Sequence, residues 1–148
     1  MHRINFFVLC GSALAVTAHA ASKWPSIGTF AVPSGGTATI LLDVASMTRH
    51  GGVWTARQKT LFSSPQKTAA GLSFRSELDM YAYDCAADRT ALVSYTRYEG
   101  ADVSGTVVEK KEPSSAGEYD WTNPAAGSVL EGARKLVCGL AGMMQGRR

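Results

Sequence analysis

Two thiols, one histidine and a pair of carboxylates carry most of the chemistry this sequence offers. Cys85 closes the run YAYDC and Cys138 closes KLVC. A free cysteine nucleophile needs a depressed pKa, and the neighbours Asp84 and Asp88 push the other way. Nucleophilic catalysis also needs a histidine oriented by a third group. Beyond the first twenty residues the one histidine is His50, in TRHGG, where two glycines make a turn and leave the imidazole in solvent. No nucleophile elbow lies near it, so no catalytic residue is assigned. Two cysteines and a turn histidine also lack the close-spaced ligand pairs of a zinc site. Met143 and Met144 are adjacent soft donors, but they fall in a tail expected to fray and assign no metal. Glu77 and Asp79 stand two apart on one strand, a spacing open to acid–base work. With Arg75 beside them they read instead as a solvated face of mixed charge.

The compartment decides the cysteines. MHR is a short basic leader, INFFVLCGSALAVTA is apolar, and AHA ends at Ala20 with small residues at both flanks. That order predicts a signal peptide over residues 1–20, cleaved after Ala20. The apolar run is shorter than the roughly 20 residues a spanning helix needs. Cys10 leaves with it, since FFVLC lacks the small residue that precedes a lipidated cysteine. The remainder, residues 21–148, is the size of one domain. Its 14 basic and 12 acidic side chains are too balanced for a nucleic-acid partner, and no other long apolar run exists. Two cysteines left in an exported chain predict one disulfide, Cys85 to Cys138. Closing so long a loop is worth about 4 kcal/mol at most.

The elements that must position these residues follow from periodicity. ASKWPSIGTFAVPSGG is an extended lead-in ending in a turn, with Trp24 docked on the body. TATILLDV (37–44) and VWTARQKTLF (53–62) are strands; SMTRHGG and SSPQKTAAG are a turn and a loop. In LSFRSELDMYAYDC, Phe74, Leu78, Met80 and Ala82 alternate with Ser73, Arg75, Glu77 and Asp79. This puts the first set on the core and the second in water. A short polar link joins that strand to RTALVSYTRY (89–98), predicting an antiparallel hairpin. TVVEKKE is charged enough for an exposed edge, and YDWTN is a candidate last strand. SVLEGARKLVC begins with a capping box, Ser128 and Glu131, and carries Val129, Ala133, Leu136 and Leu140 at helical spacing. Gly139 is the expected stop. The fold class is therefore α+β: a five- to six-stranded antiparallel sheet with one C-terminal helix packed on it.

An ordered series of short motifs resembles the surface-adhesin protein E family, small exported proteins of Gram-negative bacteria. Trp24, Asp43, Cys85, Arg89, Ser94, Tyr95, Tyr98, Trp121, Ser128 and Cys138 carry the likeness, over about residues 24–139. EGADVSGTVV stands where the family has a D-G turn and KVV, and AAGS where it has a Pro–Gly–Ser-like helix start. The resemblance implies a curved antiparallel sheet, a small helix on it and a sheet-to-helix disulfide. It also implies adhesion to host extracellular proteins, an activity of some pathogen members.

Residues and resemblance together predict an exported, non-enzymatic, adhesin-like protein without cofactor. Its partner would be a host extracellular-matrix or other envelope protein. The alternative is a periplasmic module binding a small molecule or an envelope protein. Periplasm, outer-membrane surface and medium all remain open as locations. The candidate binding face is a polar, partly basic patch of Arg57, Lys59, Arg75 and Arg97, with tyrosines adding contact area.

Overall fold

The computed structural model describes residues 24–114 and 118–146. The expected signal peptide, with Cys10, lies outside them. Six strands follow one another: β1 (Ser26–Ala31), β2 (Thr37–His50), β3 (Val53–Lys67), β4 (Ser73–Asp84), β5 (Arg89–Tyr98) and β6 (Val107–Lys111). One helix, α1 (Val129–Gln145), closes the chain. The strands lie in sequence order in a single sheet, and each neighbouring pair is antiparallel. Short connections between consecutive strands leave a meander as the simple solution. The charged segment read as an edge is the edge strand β6.

Two strands run further than their composition suggests. β2 continues through Ser46–His50, and only Gly51 and Gly52 turn the chain, Gly51 at φ +61°. The register with β3 slips between Asp43 and Thr48. There the Ser46 hydroxyl donates to the Asp43 carbonyl at 2.7 Å and accepts the Arg57 N–H at 2.8 Å. A side chain thus stands in for a ladder partner, and what looks like a turn in sequence is a bulge. β3 likewise continues through SSPQK, with a register slip between Leu61 and Gln66 that accommodates Pro65. YDWTN contributes a single bridge, Thr122 to Thr90, rather than a strand.

The helix also exceeds its expected length. Gly139 does not stop it; Gly146 caps it, donating to the Gly142 carbonyl at 3.1 Å. Leu140 and Ala141 pack on the core, and that burial outweighs the roughly 1 kcal/mol a mid-helix glycine costs. At the other end Ser128 Oγ accepts the Glu131 N–H at 3.2 Å. Glu131 does not return the bond to Ser128. Its carboxylate accepts the Gly127 N–H at 2.7 Å and pairs with Lys135.

Register decides which face the helix covers. The pairs Leu42–Gln58, Trp54–Tyr83 and Ala56–Tyr81 place these side chains on one side of the sheet. Leu42, Trp54, Ala56 and Tyr83 are buried there against Ala133, Val137 and Ala141. Tyr83 is fully buried, and the Gln58 amide donates to its phenol oxygen. Cys85 bonds to Cys138 across a Cα–Cα distance of 5.6 Å, tying the end of β4 to the helix.

Candidate functional site

Arg57, Lys59, Arg75 and Arg97 do not share a face. On β3, Arg57 and Lys59 stand opposite Met80 and Leu78, on the side away from the helix. Arg97 stands opposite Glu77 on β4 and Glu109 on β6. Side chains alternate along β4, so Glu77 belongs with Asp79, Tyr81 and Tyr83 on the helix side. The expected assignment of β4 is therefore reversed at these positions. Asp79 is buried rather than solvated, at 6 % exposure, and Tyr83 at 0 %.

On the helix side, Arg97 sits between two rings, Phe74 at 4.8 Å and Tyr95 at 4.7 Å from its guanidinium carbon. It donates to Glu77 at 2.8 Å and also pairs with Glu109. Burial works against its charge, but Glu77 and Glu109 outweigh it and hold the pKa above the ordinary arginine value. Burial raises the Glu77 pKa despite the pairing with Arg97. Asp79, beyond the reach of those bonds, has the Thr60 hydroxyl at 3.5 Å. Burial, then the neighbouring Glu77 charge, push its carboxyl up to about 7. One guanidinium facing three carboxylates leaves an excess of negative charge in a poorly solvated place, and the most buried member takes the proton. This cluster holds β4, β5 and β6 together and leaves little of Arg97 exposed.

On the helix-free side, the β5–β6 loop folds over one end. Ser76 Oγ donates to the Gly100 carbonyl at 2.7 Å and accepts the Val103 N–H at 2.8 Å. Lys59 pairs with Asp102 and lies 5.0 Å from the centre of the Trp24 ring, so its ammonium is engaged. Trp24 thus docks on the body as its composition suggests. Farther along, Arg57 donates to Asp43 at 2.8 Å; the carboxylate is buried while the arginine side chain stays 48 % exposed. Beside it a shallow depression of about 90 Å³ is lined by Leu78, Met80, Ser94 and Thr96. Arg75 is exposed and reaches the Ser63 carbonyl at 3.4 Å. An exposed guanidinium next to half-buried aliphatic and hydroxyl side chains can bind a carboxylate-bearing, partly apolar surface.

His50 is exposed at the β2–β3 turn. Among the described residues no group of three or more His, Cys, Asp or Glu side chains could hold a metal ion. No helix among them is long and apolar enough to cross a membrane. Asp120 and Lys111, which sequence reasoning passed over, line a cleft beside β5. Neither carries a motif; a loop return brings them together.

Comparison with known proteins agrees with this architecture. The family model described as surface-adhesin protein E matches residues 24–139. No curated protein sequence matches the chain. Solved structures share the fold, among them three of protein E. Crystal form II of Haemophilus influenzae protein E has a TM-score of 0.58 at 12% identity, covering 87% of this chain and 97% of that one. Protein E from non-typeable Haemophilus influenzae has a TM-score of 0.54 at 13% identity, covering 88% and 84%. Another structure of Haemophilus influenzae protein E has a TM-score of 0.52 at 12% identity, covering 68% and 76%.

Proposed function

The chain belongs to the surface-adhesin protein E family, and from that premise we propose that it is an exported, non-enzymatic binding protein. It engages an extracellular or envelope macromolecule through the helix-free face of its sheet. The supporting observation is the contrast in exposure at Arg57: its partner Asp43 is sequestered while the guanidinium faces solvent above Met80 and Thr96. A host extracellular-matrix protein presenting acidic and apolar side chains suits that surface. The second reading, a periplasmic module, differs in location rather than in fold.

Protease shaving of intact cells separates the two. Loss of the protein without lysis is the expected result, and complete protection overturns the surface reading in favour of the periplasmic one. For the face itself, the measurement is binding of the purified protein to an immobilised extracellular-matrix extract. Thr96→Glu places bulk and negative charge in the depression, where its carboxylate also competes for the Arg57 guanidinium that lines it. It should weaken binding about tenfold, the scale of a central contact in an interface. Unchanged binding in a folded Thr96→Glu protein excludes this face.

A further inference from the structure

β6 pairs with β5 only from Tyr95 to Tyr98, and the chain returns to the β5 edge at Thr122. The return is firmly held. Thr90 and Thr122 exchange backbone hydrogen bonds of 2.9 and 2.8 Å. The guanidinium carbon of Arg89 lies 4.7 Å from the centre of the Trp121 ring, and Tyr119 packs edge-on against that ring. Between the end of β6, this return and the first turn of α1 lies a cleft of about 310 Å³. That is the small end of the range for ligand sites.

Its lining has a definite chemistry. Tyr81, Leu92 and Leu130 make the apolar part. Thr90 sits at its base, fully buried, and its hydroxyl has no hydrogen-bond partner among the described residues. Lys111, from the last position of β6, and Asp120, from the anchored return, complete the wall with opposite charges. Among the described residues neither enters an ion pair, with the other or with any third group. Lys110, next to Lys111, is already paired with Glu112. Two uncommitted opposite charges on the wall of a cleft with an apolar portion match a ligand that carries an anion and a cation on a small apolar body.

We propose that this cleft binds a zwitterion of the α-amino-acid class, Lys111 taking its carboxylate, Asp120 its ammonium, and Leu92 and Leu130 its side chain. The site lies apart from the helix-free face, so it stands or falls independently of the surface reading.

The test is a nuclear magnetic resonance titration of the oxidised, leader-free protein with L-leucine and L-phenylalanine, reading the amides of Leu92, Thr122 and Leu130. Saturable shifts at these amides are expected, with affinity weakened about two- to fivefold in Lys111→Met and in Asp120→Asn. N-acetyl-leucine amide, which has neither charge, should produce no saturable shift. An equal response to the neutral analogue, or unaltered affinity in both variants, means an unspecific apolar crevice and overturns the proposal. So does the absence of saturable shifts at tens of millimolar of either amino acid. Both substitutions fall on exposed side chains, and their melting curves report whether the fold is intact.

Discussion

Arg97 and Arg57 are both strand arginines with a carboxylate partner, yet they sit on opposite faces and in different surroundings. Arg97 lies between Phe74 and Tyr95 and is shared by Glu77 and Glu109, with 26 % of its side chain exposed. Arg57 has one buried partner, Asp43, and 48 % of its side chain exposed. The first is held by two carboxylates and two rings of the protein; the second keeps part of its guanidinium for solvent or a ligand. The contrast extends to the whole sheet. One side is closed by α1 and the disulfide, and the other is bordered by a loop and Trp24 but left open around Arg57. A charged side chain therefore reports recognition only where its own fold has not already used it.

The comparison is tested most severely at the staple. Replacing both Cys85 and Cys138 by serine should lower stability in a denaturant titration by up to about 4 kcal/mol, given a separation of 53 residues. A loss below about 1 kcal/mol would mean that the helix holds the closed face unaided. Core truncation comes next. Leu42→Ala, under the helix, should cost about 3 kcal/mol, whereas Met80→Ala on the open side should cost about 1 kcal/mol because its burial is partial. Equal losses would erase the distinction between the faces.

Asp79 offers a sharper probe. Its folded pKa, about 7, lies above the ordinary value of 3.8. The folded state thus holds the proton more tightly than the unfolded state. The contribution is fully present below pH of about 4 and lost as pH rises to about 7, by at most about 1.4 kcal/mol per pH unit. Asp79→Asn should flatten this decline and melt higher than the parent at pH above 7. A parallel pH profile in the variant would show that Asp79 is not the group responsible. The smallest effect is expected at Arg75, which is exposed. Arg75→Ala should change stability by less than about 0.5 kcal/mol in the same titration.

Much of the architecture is legible in local pattern. RTALVSYTRY is bounded by turns on both sides and appears unchanged as β5. The series from Trp24 to Cys138 lies within the residues the family model matches. The facing of β4 was also encoded, through the staple rather than through hydropathy. A cysteine bonded to the helix must face the helix, and period two then carries Tyr83, Tyr81, Asp79 and Glu77 with it. Alternation of apolar and polar types pointed the other way, because both sides of this strand are partly buried. The Ser46 bulge and the Gly139 continuation escaped for a related reason: local turn chemistry was outweighed by ladder and core contacts.

By itself the sequence determined the order of the strands and the closing helix, the pairing of Cys85 with Cys138 and the family, since these depend on short-range periodicity, cysteine count and motif order. Tertiary structure alone decided which charges remain available. Lys59 is taken by Asp102, Arg97 by Glu77 and Glu109, while Arg57, Lys111 and Asp120 keep exposed charged groups. The physical reason is that ion pairing and desolvation act between residues distant in the chain. Strand register and loop return bring those residues to a few ångströms, and no local pattern records that distance.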